Sequence, residues 1–457
     1  MGQSRRIVVM LIVALIILGA PILITATNAL EHPPGFKFVQ VPDPLAERNP
    51  AYPLPKLSEP VLGKPFFEPQ FGTILTRITN RSKIRHEYSR FDPFNTDKSM
   101  IILIDTDSGG FMVFRTHGPD YAAKQNLVAR IEWREPRWDP KDPRRLWGFD
   151  EFKIVTLDTA TGQTTVVKDF VQDPVLGKII KSEPDLFQIT TKDEGEPSQD
   201  FRFWALALQG SQDEYRLRHL ICWDRDQDKI LGHMPLTADE AGPIDWVGMS
   251  PLGTWVIVGG DSDGGRKTAG LNITDPGFAE WHNLAVSTAH SDVGLDSHGR
   301  EIMVMQNTAT DHIDLIPLDP KTSSVTSPGG YASGLVRPLV RLFYSSDDPA
   351  GFSGGVHISC NAPGYCVVST YYEPGAPEKN WLDRTIILLK LDPDKPKAWY
   401  LAKVHNTTGA YWEETQAAIS RDGSRIVWAS NWGKDPGKQQ VFVLELTMPP
   451  NWRELLK

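Results

Sequence analysis

One turn motif recurs along most of this chain, and it limits the fold more than any other feature. Its best copies are Thr415–Ser430, containing Ile-Ser-Arg-Asp-Gly-Ser-Arg-Ile, and Asp245–Val258, containing Met-Ser-Pro-Leu-Gly-Thr-Trp-Val. Each is a short apolar strand, a Ser-x-x-Gly turn and a second apolar strand. The glycine supplies the positive φ that such a tight turn needs. Weaker copies run over Ser89–Leu103, Pro136–Trp147, Asp292–Val304 and His357–Val368, and a seventh, the least regular, over Pro197–Leu206.

A second hairpin follows several copies and ends in an outer strand, as in Glu151–Leu157, His312–Leu318, Arg384–Leu391 and Gln440–Leu446. Four strands per unit, spaced by roughly 45–65 residues, is the arithmetic of a β-propeller. Separate β-sandwiches would not repeat one turn seven times. The expectation is an all-β, seven-bladed propeller over residues 72–457. No segment before the C-terminal Asn451–Leu456 shows a sustained helical period.

Two segments precede it. Residues 1–29 carry Arg5 and Arg6, an apolar run from Ile7 to Ile24, and the small-residue exit Thr-Ala-Thr-Asn-Ala29. This describes a secretory signal cleaved after Ala29, or an uncleaved anchor, since 18 residues lie near the lower limit of a spanning helix. Either way the remainder is expected outside the cytoplasm: periplasmic, cell-surface or secreted. A membrane is then a partner only through this segment, if it stays attached. Residues 30–71 hold eight prolines between Pro33 and Pro60 and read as an extended linker or strap.

The formal net charge of −9 argues against nucleic acid, which needs a basic surface. Of three cysteines, Cys360 and Cys366 flank a turn and suit a disulfide in an oxidising compartment, or ligation of a metal. Cys222, beside Leu220 and Ile221, reads as buried. The Gly/Asp loop Gly259–Gly265 lacks the spacing and terminal Glu of a calcium-binding EF-hand loop. There is no nucleophile elbow, phosphate-binding P-loop or His-Glu-x-x-His motif.

In a propeller the innermost strand of each blade lines the central channel. Reading back from each turn places His86, Tyr88, Arg134, Arg137, Asp245, His290, Asp292, His357, Glu414 and Gln416 there. His290, His357 and Gln416 come from successive blades, and His405 precedes the last. Two imidazoles and an amide oxygen suit a divalent metal such as Zn²⁺ or Mn²⁺. They equally suit hydrogen bonds to channel water. His86 with Tyr88 supplies a base and an acid, or His86 is simply bonded within its blade. Arg134 and Arg137 offer forks for a carboxylate, or pair with Glu135 and Asp139. Trp412 and Trp432 suit stacking on sugar rings, or packing between blades.

The segments Arg85–Arg90, Ala289–Gly299, His357–Cys360 and Glu414–Trp432 resemble the blades of ulvan lyases and oligogalacturonate lyases, which belong with TolB-type propellers. The likeness runs from about residue 72 to 448, and only its His-bearing strands are specific. The resemblance implies a polysaccharide lyase that cleaves uronic-acid polymers by β-elimination, with His86 and Tyr88 at its first-blade catalytic position. Arg137, read from its own chemistry as a carboxylate binder, completes the candidate catalytic set, and the N-terminal segment makes the protein exported. The resemblance also implies a divalent metal, Zn or Mn, at the position that His290, His357 and Gln416 match best, which His405 could join by its place before the last blade; the chemistry of the residues adds Arg134, Trp412 and Trp432 as substrate contacts. Ile104–Asp107 lacks the second His of ulvan lyases, and Asp261 stands where an Arg would be sought. These departures keep open a non-catalytic propeller that binds glycans or a cell-surface protein.

Overall fold

The recurring turn folds alike in its copies in blades three, four, five and seven. Ser250 N–H donates to Trp255 O and Gly253 N–H returns to Ser250 O; Ser420 and Gly423 repeat this with Arg425, and Asp296 and Gly299 with Arg300. Gly253, Gly299, Gly364 and Gly423 all have φ between +74° and +81°. In the least regular copy Phe201 takes the positive φ (57°), and Ser198 still closes the turn against Phe203. A shared hydrogen-bond pattern, more than a shared residue, is what repeats.

The computed structural model describes residues 36–260, 267–323, 333–342, 354–371, 380–434 and 436–456. The signal or anchor segment and Asp261 lie outside them. Among the described residues the strands form seven antiparallel sheets, each a blade. Blades one to five run in chain order, with inner strands Ile84–Arg85, Arg134–Trp138, Leu186–Thr190, Ile244–Met249 and Ser291–Leu295. Blade six begins at Gly355–Ser359 and blade seven at Ala418–Ile419.

The ring closes on the N-terminal side of the repeats. Ile74–Arg77 pairs with Phe442–Thr447, the last strand of blade seven, in the register Leu75↔Leu446 and Arg77↔Leu444. The Pro-rich stretch continues this role. Phe66–Phe67 adds a fifth strand to blade seven and Val39–Gln40 a fifth to blade six. Two outer edges that would otherwise expose unpaired backbone are thus covered.

Apolar faces of neighbouring blades make the core. One cluster joins blades five and six through Val304, Leu315, Val368 and Ile387, and another joins six and seven through Leu388, Trp399, Trp428 and Leu444. Among the described residues no helix is long and apolar enough to cross a membrane.

Cys360 and Cys366 are disulfide-bonded across the turn that starts blade six, and Cys222 is free and buried against Met249. The pair is therefore not available as a metal ligand. Because the bond closes a short loop, reducing it should lower unfolding stability by only about 2 kcal/mol. Urea denaturation with and without dithiothreitol measures this difference.

Candidate functional site

Each inner strand starts at one end of the channel, so the residues just before or at its start gather around a common mouth. There a pocket of about 570 Å³ is lined by Tyr88, Arg134, Trp412, Tyr411 and a set of acids, Glu87, Glu135, Asp193 and Glu194. Three residues singled out from sequence, Tyr88, Arg134 and Trp412, share its wall. A smaller pocket of about 180 Å³, lined by Phe201, Asn361 and Arg421 among others, is built from the turn-end residues of the inner strands.

Three non-glycine residues at the mouth, Glu135, Lys192 and Asp193, have positive φ. Each such conformation costs on the order of 1 kcal/mol and persists only where surroundings enforce it. In blade two it accompanies a bulge. Arg134 pairs with Phe149 but Arg137 with Trp147, so three steps on one strand oppose two on the other. The two arginines therefore point the same way at different depths.

Arg134 is exposed at the pocket. Arg137 is 5% exposed, pairs with Glu87 at 2.9 Å and lies over Phe91. Neither forms the pairs with Glu135 and Asp139 that adjacency suggested. The Glu135 carboxylate instead accepts from Thr190 Oγ1 at 2.7 Å and from Thr191. Arg137 is placed behind the pocket as a partner of Glu87, out of reach of a ligand in it.

Deeper on the same side lies a cluster of rings around His357. His290 meets it edge-on at 4.7 Å between centroids, Tyr88 edge-on at 5.5 Å, and Tyr371 tilted at 5.2 Å. Tyr88 belongs to both the cluster and the pocket wall. Burial first, then neighbouring positive charge, depresses His290 and His357 to about 3, so both are neutral at pH 7. The neutral His357 donates Nε2–H to Glu414 Oε2 at 2.7 Å. Tyr371 was not anticipated. Gly355 makes its place, because a Cβ there would lie 2.0 Å from the Tyr371 ring. The pair Gly355↔Tyr371 is a matter of register, which the sequence does not display.

His86 differs from its expected role as a base. It is fully buried, and its Nε2–H donates to the Gln416 carbonyl at 2.5 Å. Beside it Arg85 donates to Trp412 O, Glu414 O, Gln416 Oε1 and His86 O at 2.7–3.0 Å. Both residues tie blade one to blade seven across the closure.

The expected metal set does not assemble. His290 and His357 are neighbours, but Glu414 takes His357 Nε2 and the Arg85 guanidinium takes Gln416 Oε1 at 2.7 Å. A cation already stands where a metal's amide ligand was expected. His405 stacks on Trp432 at 4.0 Å, and Trp432 packs with Phe66 and Phe442 against the core between blades six and seven. Trp432 Nε1 donates to Leu57 O. His405 and Trp432 are packing residues away from the mouth. Among the described residues no group of three or more His, Cys, Asp or Glu is placed to hold a metal. These residues as arranged do not fit the ion, and no step is routed through one.

Burial raises the Glu87 carboxyl to about 7, against the opposing pull of Arg137. The unfolded value is near 4.5, so between these values the folded state binds more protons. Glu87 therefore removes stability as pH rises from about 4.5 to 7. Glu87→Gln should be the more stable protein at pH 8, by up to about 3 kcal/mol, and match the parent at pH 4. Denaturant midpoints at the two pH values check this. A gap that grows toward pH 4 would contradict it.

No protein-family model matches the sequence, and a search of curated proteins finds no match. Solved structures do resemble it. An oligogalacturonate lyase in complex with manganese aligns at 12% identity over 87% of this chain and 98% of that chain, with a TM-score of 0.54. An oligogalacturonate lyase from Vibrio parahaemolyticus aligns at 9% identity over 85% and 97%, with a TM-score of 0.52. At these identities the likeness is one of fold: this chain is a seven-bladed β-propeller, similar in architecture to those two structures.

Proposed function

We propose that this protein is an exported polysaccharide-lyase-like propeller that cleaves a uronic-acid polysaccharide by β-elimination at the channel mouth. The observation that carries the reading is the His290–His357–Tyr88–Tyr371 cluster opening, through Tyr88, onto a pocket that also holds the free fork of Arg134. Support for the fold comes from the two oligogalacturonate lyase structures.

Elimination on a uronate needs three things: neutralisation of the carboxylate, a base for the C5 proton, and an acid for the departing oxygen at C4. Arg134 supplies a bidentate donor for the carboxylate. His290, half-buried and neutral, supplies a lone pair. The C5 proton passes to His290, the C4–C5 double bond forms, and the C4–O bond breaks. Tyr88, whose phenol burial holds in its protonated form, gives its proton to the leaving oxygen. Trp412 and the exposed Tyr411 offer ring faces to flanking sugars.

The acids at the mouth bear on the substrate. Burial raises Glu87, Glu135 and Glu194 alike. Glu87, raised to about 7, gains its proton as the pH falls through neutrality, which lessens repulsion of a polyanion at the mouth.

The test is incubation of the purified protein with uronate polymers at pH 6, followed by ultraviolet absorbance of the unsaturated product. Absorbance that grows with time supports the reading. No product from any acidic polysaccharide, with binding retained, supports the second reading, a glycan-binding propeller. The occupied Glu414 and Arg85 contacts favour that one.

A further inference from the structure

A second histidine pair lies far from the channel, on the outer half of blade three. His219 is on the strand Leu217–Asp224 and His233 on Lys229–Pro235. His233 is the register partner of Ile221, two residues beyond His219. Side chains two apart share a face of a strand, so the two imidazoles form a diagonal pair on one face. Their ring centroids are 5.0 Å apart and tilted by 31°.

The nitrogens are more informative than the rings. His219 Nε2 lies 2.9 Å from Glu183 Oε1, and His219 Nδ1 lies 2.9 Å from His233 Nε2. Glu183 is an acceptor, so it fixes the proton of His219 on Nε2. The lone pair of His219 then sits on Nδ1 and faces His233 Nε2. A carboxylate behind one imidazole, holding its proton so that the other nitrogen keeps its lone pair, is the usual support of a metal-bound histidine.

We propose that His219 Nδ1 and His233 Nε2 form a two-histidine binding site for a divalent transition-metal ion, with Glu183 orienting His219. A four-coordinate ion holds imidazole nitrogens at about 2.0–2.1 Å, which puts two of them roughly 3.3 Å apart. From the present 2.9 Å separation, binding needs a small spreading of the side chains and a turn of both rings so that their lone pairs meet at the ion. In the free protein His233 Nε2–H donates to His219 Nδ1; binding displaces that proton, and the other His233 nitrogen carries it. Glu183 and His233 are both partly exposed, which leaves the ion's remaining positions to water. Neutral imidazoles favour Cu²⁺ over Ni²⁺ and Zn²⁺.

The test adds Cu²⁺ alone to chelator-treated full-length protein at pH 7. Binding is read by calorimetry and by the nitrogen splitting in the electron paramagnetic resonance spectrum. The expected result is one equivalent with a two-imidazole signature. It should be lost in His233→Gln, which keeps an N–H donor for His219 and so preserves the fold. Glu183→Gln should weaken binding about 10- to 100-fold while leaving the stoichiometry unchanged. Undiminished binding in His233→Gln would overturn the proposal, as would an affinity unmoved by Glu183→Gln. An equivalent that persists in His233→Gln but vanishes in His290→Ala would place the ion at the channel instead.

Discussion

Tyr88→Phe is expected to slow formation of unsaturated product by roughly 10²–10⁴-fold, the usual worth of a positioned general acid. The loss should fall on kcat with KM little changed, because the phenol acts on the leaving oxygen in the transition state and the ring face remains. The substitution is a clean one. The Tyr88 hydroxyl has no protein hydrogen-bond partner among the described residues, while its ring keeps the edge-on contact with His357. Stability should therefore move by less than about 0.5 kcal/mol. Arg134→Ala should behave differently, raising KM most for substrates that carry the carboxylate. Steady-state kinetics on a soluble uronate oligomer separate the two. An unaltered rate in Tyr88→Phe would remove the phenol from the chemistry.

The second large effect concerns stability. Arg85 is fully buried and charged at neutral pH, although burial lowers it to about 10. Its guanidinium satisfies three backbone carbonyls and the Gln416 amide across the junction of the first and last blades. Arg85→Ala strands those acceptors and opens a cavity where the ring closes. Removal of one partner from a buried charged network costs about 3–5 kcal/mol. Guanidinium denaturation should show a midpoint shift of that size, and a shift below about 1 kcal/mol would mean that the closure does not depend on Arg85. His86→Ala should cost less, since it removes a single bond to the Gln416 carbonyl.

The propeller was legible because its turn is written in residues: Ser or Asp to close it and Gly where φ must be positive. The least regular copy, with Phe201 where the glycine would stand, still keeps Ser198 to close its turn. The inner-strand positions followed by counting back, and they bring His290, His357, Tyr88 and Arg134 to one end of the channel. What counting does not supply is depth and partnership. His86 and Tyr88 are two residues apart, yet one is sealed against blade seven and the other opens on the pocket. Arg137 went to Glu87, 50 positions back along the chain, because a bulge at Glu135 sets its direction. Gln416 went to Arg85 through a contact between chain ends. The closing strand Ile74–Arg77 carries no turn motif, so its pairing with blade seven is visible only in three dimensions.

The account stands on where a sugar sits. A crystal structure of Tyr88→Phe with a uronate oligosaccharide tests that directly. The account predicts a sugar carboxylate on the Arg134 fork, a ring against Trp412, and C5 turned toward His290. An oligosaccharide seated instead in the pocket beside Phe201 and Arg421, or on the outer blades, would contradict it.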